Sequence, residues 1–211
     1  MTMYLPKHFE QTDSEALIAL MRERPLATLI VTTAGGTTAD LIPLEFAPTD
    51  GEHGTLRGHV ARANPLWRHV GAQALAVFTG PEAYVSPGWY ASKQEHGKVV
   101  PTWNYTMVQA RGVLRAVDDA VWLRALVGRL TDHHEAKLAK PWQVSDAPDD
   151  YVQQMLRAIV GIELALTSLV GKWKVSQNRS QADRLGTVTG LTREANDNAA
   201  AMAALVKGAS T

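Results

Sequence analysis

Leu26-Ala27-Thr28-Leu29-Ile30-Val31-Thr32-Thr33, then Ala34-Gly35-Gly36, then Thr37-Thr38-Ala39-Asp40-Leu41-Ile42-Pro43-Leu44-Glu45-Phe46, is the stretch that decides the fold class. Its first eight residues are apolar and β-branched, the composition of a buried strand. Gly35-Gly36 supplies a turn, and 39–46 returns as a second strand. No helix separates the two strands, so they pair antiparallel.

Working outward, the same pattern repeats. Pro48, Asp50-Gly51 and Gly54 mark a turn before a strand over Thr55–Ala61. Further strands are read over 72–79, stopped by Gly80-Pro81, and over 83–86, broken by Pro87-Gly88. Residues 99–106 and 108–117 are extended, and Pro101 inside the first marks an edge or a bulge. A last strand covers 159–170, and 171–184 reads as a basic polar loop. Helices are few. Thr12-Asp13-Ser14-Glu15 fits a capping box for a first helix that Pro25 stops. Asn64-Pro65 opens a short helical piece, 118–134 and 151–157 are helical, and an Ala-rich terminal helix spans about 193–207. The expectation is a mainly β (α+β) chain: an antiparallel barrel with peripheral helices, forming one domain over 1–211.

Composition narrows the function classes. Lys plus Arg and Asp plus Glu both number 21, so the chain has no net charge to offer a phosphate backbone. The helices at 118–134 and 151–157 are too far apart for a helix-turn-helix. DNA is therefore a possible partner that neither charge nor motif supports. With no cysteine, thiolate metal sites, disulfides and Cys nucleophiles are excluded. No stretch approaches the ~18 apolar residues of a spanning helix, and a cytoplasmic, membrane-free protein is expected.

Three constellations carry possible chemistry. In Arg57-Gly58-His59-Val60-Ala61-Arg62-Ala63-Asn64-Pro65, a strand ends at a capped helix start, where His59, Arg62, Asn64 and free amides suit a phosphate. A surface strand with a structural cap is the equal alternative. In Lys98-Val99-Val100-Pro101-Thr102-Trp103-Asn104-Tyr105, Thr102 and Asn104 share one face and the aromatics the other, which suits a flat aromatic ligand or a core contact. In Gly171-Lys172-Trp173-Lys174-Val175-Ser176-Gln177-Asn178-Arg179, Lys174, Ser176, Gln177, Asn178 and Arg179 are donors for a phosphate or a carbonyl-rich ring, or the segment is a nucleic-acid contact or a solvated loop. Asp132-His133-His134-Glu135 looks like a metal cluster, but adjacent helical residues diverge by about 100°, and a polar helix end is the better reading. No pattern singles out a catalytic residue.

Several of these segments resemble one family in the same order. Met3-Tyr4-Leu5-Pro6-Lys7-His8-Phe9, Gly58-His59-Val60-Ala61-Arg62-Ala63-Asn64-Pro65, Phe78-Thr79-Gly80-Pro81, Tyr84-Val85-Ser86-Pro87-Gly88-Trp89-Tyr90, Lys98 to Tyr105 and Lys174-Val175-Ser176-Gln177-Asn178-Arg179 are similar to PaiB-type FMN-binding negative transcriptional regulators. The resemblance runs from residue 3 to about 190. It implies an FMN-binding split barrel of antiparallel strands, a homodimer with flavin at the subunit interface, and a role as a negative transcriptional regulator. It implies phosphate contacts near His59, Arg62 and Asn64, ring contacts at Thr102 and Asn104, and closure by Lys174, Gln177, Asn178 and Arg179. A small FMN-dependent oxidoreductase using NAD(P)H is the alternative function, and a barrel that lost FMN or takes haem through His59 is a third.

Overall fold

The computed structural model describes residues 3–209. A two-residue strand, β1 (Glu10–Gln11), precedes helix α1 (Ser14–Glu23). Asp13 rather than Thr12 caps this helix, its Oδ1 accepting the Glu15 N–H at 2.9 Å and satisfying a donor that a helix start leaves free. Strands β2 (Leu26–Thr33) and β3 (Gly36–Pro43) form the expected hairpin, in register from Leu26↔Pro43 to Thr33↔Gly36. The expected strand at 39–46 is interrupted, because the Leu44 N–H donates to the Pro25 carbonyl at 2.9 Å instead of to a strand. A separate strand, β4 (Glu45–Ala47), follows, and β5 (Thr55–Ala61) has the expected bounds.

The next strands are longer than their local signals. Strand β6 (Gln73–Val85) runs straight through Gly80-Pro81. Its ladder with β2 ends at Thr28↔Val77, so Pro81 sits where β2 no longer needs a donor, and its missing N–H is tolerated. After a short helix α2 (Ser92–His96), strand β7 (Thr102–Val117) is one unbroken element. Pro101 lies just outside it, at the position where a proline costs no ladder bond.

Helices α3 (Ala120–Glu135) and α4 (Asp149–Arg157) bury Leu123, Val152 and Leu156 together. Strand β8 (Ile159–Lys174) then extends four residues past its expected end. The expected loop at 171–184 is thus strand for its first part, and its last residues begin a helix, α5 (Gln181–Arg193). Helix α6 (Asp197–Gly208) closes the described chain, four residues later than its expected start. The sequence of α5 conceals it, since Gly186, Gly190 and several β-branched residues each weaken a helix by up to about 1 kcal/mol. Those glycines are needed for packing. A Cβ at Gly186 would lie 1.9 Å from the Trp89 carbonyl oxygen, and one at Gly190 would lie 2.1 Å from the Trp89 ring.

The strands form one eight-stranded sheet ordered β3-β2-β6-β7-β8-β5-β4, with β1 paired to the end of β8. Every pair of described register is antiparallel. The order has two ends, β3 and β4, and does not close, which is the split of a split barrel. The expected mainly β class holds. Contacts divide the chain into two compact groupings, one from 3–20, 79–108 and 170–209, the other from 21–78 and 109–169. The first has a core of Ala83, Val175, Leu191, Ala199, Met202, Ala203 and Val206, with Trp89 and Trp173 packed against it. In the second, β2 buries Ala27, Leu29 and Val31 in alternation, and β5 and β8 contribute Leu56, Val60, Ile162 and Leu164.

Candidate functional site

The first constellation lies wholly in the second grouping, and its donors are largely taken up by protein. Arg62 donates two hydrogen bonds to the Asp118 carboxylate, at 2.8 and 2.6 Å, and one each to the carbonyls of Arg157 and Ile159. That is four of the five N–H groups a guanidinium owns. Asn64 caps the 3-10 turn Pro65–Arg68 through Oδ1, at 2.9 Å from the Leu66 N–H, and its Nδ2 donates to Asp40 at 3.1 Å. The turn is a single short one, so it offers little of the helix-start field that the sequence implies. His59 pairs with Gly161 across β5 and β8, is half-buried, and has a buried Nδ1 with no partner among the described residues. Burial pushes its pKa below the ordinary histidine value.

The second and third constellations come together in the first grouping. Thr102 and Asn104 stand at the start of β7, and Lys174 ends β8. Lys174 Nζ donates to the Thr102 hydroxyl and, at 2.6 Å, to the Trp103 carbonyl. Asn104 is 1% exposed, and its Nδ2 donates to Ser176 Oγ at 2.9 Å. Period-two alternation brings 102 and 104 to one face, and the same alternation puts 172 and 174 on one face of β8, with Ser176 in the turn that follows. Gln177 turns back on its own loop, accepting from the Val175 N–H at 2.8 Å and donating to the Trp173 carbonyl at 2.6 Å. Its amide therefore shapes the loop. Asn178 is exposed, and Arg179 lies 4.8 Å above the Tyr90 ring.

Three further residues, Ser176, Asp183 and Tyr90, complete this cluster. Ser176 is 4% exposed and has φ 62°, a left-handed conformation that a non-glycine residue rarely adopts. Such strain persists only where surroundings enforce it, as the Asn104 bond does here. Asp183, 4% exposed, accepts from both the N–H and the hydroxyl of Ser92 at 2.9 Å each. Burial alone would raise its pKa. The Ser92 and Ser180 hydrogen bonds and the Arg179 charge outweigh burial and hold the carboxyl below its usual range. Tyr90 is 2% exposed, with a hydroxyl that has no partner among the described residues. Burial, first of all, raises its pKa. One local signal does point here: Ser180-Gln181-Ala182-Asp183 has the spacing of a capping box, and Ser180 Oγ accepts the Asp183 N–H at 3.2 Å.

The cluster is cationic. Lys172 is 7% exposed, its Nζ bonded to the Tyr4 carbonyl at 2.9 Å and 5.5 Å from the Tyr105 ring centroid. Among the described residues no carboxylate forms a salt bridge with Lys172, Lys174 or Arg179. Burial, and then the charges of Arg179 and Lys172, push the Lys174 pKa below its usual value. The one carboxylate of the cluster, Asp183, has both oxygens taken by Ser92, and the surplus of cations over carboxylates favours an anionic or electron-rich guest. The donor set of Lys, Ser, Thr, Asn and Arg thus fits either a phosphate or the carbonyl-rich edge of a flavin.

Residues 3–168 match the family described as "Putative FMN-binding domain". The chain is 31% identical over 207 residues to "Protease synthase and sporulation protein PAI 2" of Bacillus subtilis (strain 168), covering 97% of each. Two solved structures share the fold: the flavocytochrome Anf3 of Azotobacter vinelandii and the FAD and heme binding protein of Mycobacterium smegmatis. The first has TM-score 0.54 and 14% identity over 78% of this chain and 69% of that one. The second has TM-score 0.53 and 19% identity over 78% and 73%. The family match bears out FMN as the expected cofactor, and the extent of both sequence matches shows that the chain belongs to the PaiB-type family of FMN-binding proteins.

Proposed function

We propose that FMN is held at the Lys174 cluster and that the protein acts as a negative transcriptional regulator, with the flavin lying at a homodimer interface. The observation that carries the ligand assignment is the trio Lys172, Lys174 and Arg179, gathered without a carboxylate salt bridge among the described residues. Lys174, with Thr102, Asn104, Ser176 and Arg179 around it, orients the flavin, while Gln177 keeps the loop in shape and Asn178 is free to reach the ligand from its exposed position. Arg62 and Asn64 brace the β5 corner in this reading, their donors being largely engaged within the protein. We further propose one domain, because β6, β7 and β8 each pass from one grouping to the other as single strands.

The homodimer is supported by an aromatic pair in the first grouping. Tyr84 and Trp103 are 46% and 57% exposed and meet edge to face at 5.9 Å. Aromatics left open to water in this way are the residues a subunit interface recruits. Regulation is supported by the likeness to PAI 2, and the even charge balance favours action through a partner over direct grip on DNA.

Bound FMN supplies redox chemistry, so an oxidoreductase using NAD(P)H is the second reading. The same cations favour it, since positive charge beside a flavin favours added electron density. A visible spectrum with FMN, followed by NAD(P)H in the same cuvette, separates the two. A shifted flavin band that NAD(P)H leaves intact supports the regulator, whereas bleaching with recovery in air supports the enzyme. Absence of flavin binding overturns both, and a monomer by size-exclusion chromatography overturns the interface.

A further inference from the structure

A cavity of about 180 Å³ lies within the second grouping, with Arg22, Glu45, Phe46, Arg129, His133 and His134 in its lining. It takes in His133 and His134 of the Asp132-His133-His134-Glu135 run, which a metal does not explain: among the described residues no three acidic or histidine side chains are grouped to hold one. Its volume is that of roughly six waters.

The polar lining is unevenly committed. Glu45 is the one carboxylate in it, and both its oxygens are taken by Arg129, each at 2.8 Å. A bidentate pair of this kind leaves neither partner seeking another counter-ion. His133 Nε2 lies 3.3 Å from the Arg22 carbonyl, an acceptor in the last turn of α1, so that nitrogen is engaged as well. Glu135, next along α3, is turned to the Trp142 N–H at 2.9 Å and does not line the cavity. The Arg22 guanidinium and the His134 ring remain. Neither has a hydrogen bond or ion pair from its side chain among the described residues, and the His134 ring stands 5.2 Å from that of His133. On the apolar side, Met21 and Leu44 are 1% and 3% exposed, and Pro25, Phe46 and Leu130 complete the wall.

We propose that this cavity binds a small monocarboxylate bearing an apolar body, with the carboxylate at Arg22 and His134 and the body against Met21, Leu44 and Phe46. A planar guanidinium matches a carboxylate in two parallel bonds. The apolar wall adds affinity for a ligand with hydrocarbon and gives inorganic phosphate nothing to bury. A cation is disfavoured because the only lining carboxylate is already paired.

The probe is benzoate, titrated calorimetrically into the full chain loaded with FMN, with benzamide and inorganic phosphate as comparisons. Saturable benzoate binding is expected, with benzamide and phosphate each at least roughly tenfold weaker. Arg22→Gln lowers benzoate affinity roughly tenfold or more, and His134→Gln lowers it independently, while both variants keep the FMN affinity of the parent chain. Absence of saturable benzoate binding, equal binding of benzamide, equal binding of phosphate, or unchanged benzoate affinity in both variants overturns the proposal.

Discussion

The side-chain amide of Asn104 and the hydroxyl of Ser176 meet at 2.9 Å in the interior, although 72 residues separate them in the chain. The bond ties the start of β7 to the turn after β8, and it holds Ser176 at φ 62°. Two substitutions separate the hydroxyl from the backbone strain. Ser176→Ala and Ser176→Gly both leave the Asn104 amide without its partner, but only glycine relieves the left-handed conformation. Ser176→Gly is expected to be more stable than Ser176→Ala by about 1 kcal/mol in urea unfolding. Equal stability would show that the turn is not strained.

Two glycines make opposite predictions. Gly190→Ala improves intrinsic helix propensity by about 1 kcal/mol, yet its Cβ would meet the Trp89 ring at 2.1 Å. Displacing that ring is expected to cost more than propensity returns, a net loss of about 1–3 kcal/mol. Gly128 in α3 has open space for 4 Å around the position a Cβ would take, so Gly128→Ala is expected to stabilise by up to about 1 kcal/mol. Thermal melts of both variants check the pair of signs.

Arg62→Ala removes four hydrogen bonds at the β5 corner. The expected outcome is a lower Tm with FMN affinity close to that of the parent chain. A large loss of FMN affinity with Tm unchanged would return Arg62 to the phosphate.

Acid sensitivity follows from Asp183. Its folded pKa is depressed below the ordinary carboxylate value, so the unfolded chain binds this proton more readily. The stability it contributes is present above the unfolded value and is lost as pH falls through the folded one. Asp183→Asn should therefore destabilise the chain near neutral pH and show a shallower loss of stability below about pH 4. Unfolding midpoints in urea across that range provide the check, and parallel curves for the two proteins would contradict it.

Much of the fold was written in local signals. The strands Leu26–Thr33 and Thr55–Ala61 and the Asn64 cap follow from composition and turn chemistry within a few residues. Strand β6 was legible only in halves, because the tolerance of Pro81 depends on where the distant β2 ladder ends. Helix α5 was hidden because Trp89, nearly a hundred positions earlier in the chain, decides why glycines belong in it. At the site, the shared face of Thr102 and Asn104 was readable from period-two alternation, whereas Lys174 was read only as a donor in a loop. The commitment of Arg62 to Asp118, the conformation of Ser176 and the pairing of Asp183 with Ser92 are long-range facts that no local pattern encodes.

The most direct test of the central claim is an equilibrium titration of FMN into the parent chain and into Lys174→Met, followed by flavin fluorescence. Methionine keeps most of the side-chain volume and removes the charge that bonds Thr102 and the Trp103 carbonyl. Tight binding by the parent chain is expected, with an affinity at least roughly tenfold lower in the variant and an unchanged far-UV spectrum. Equal FMN affinity in the two proteins would contradict it and move the flavin away from the Lys174 cluster.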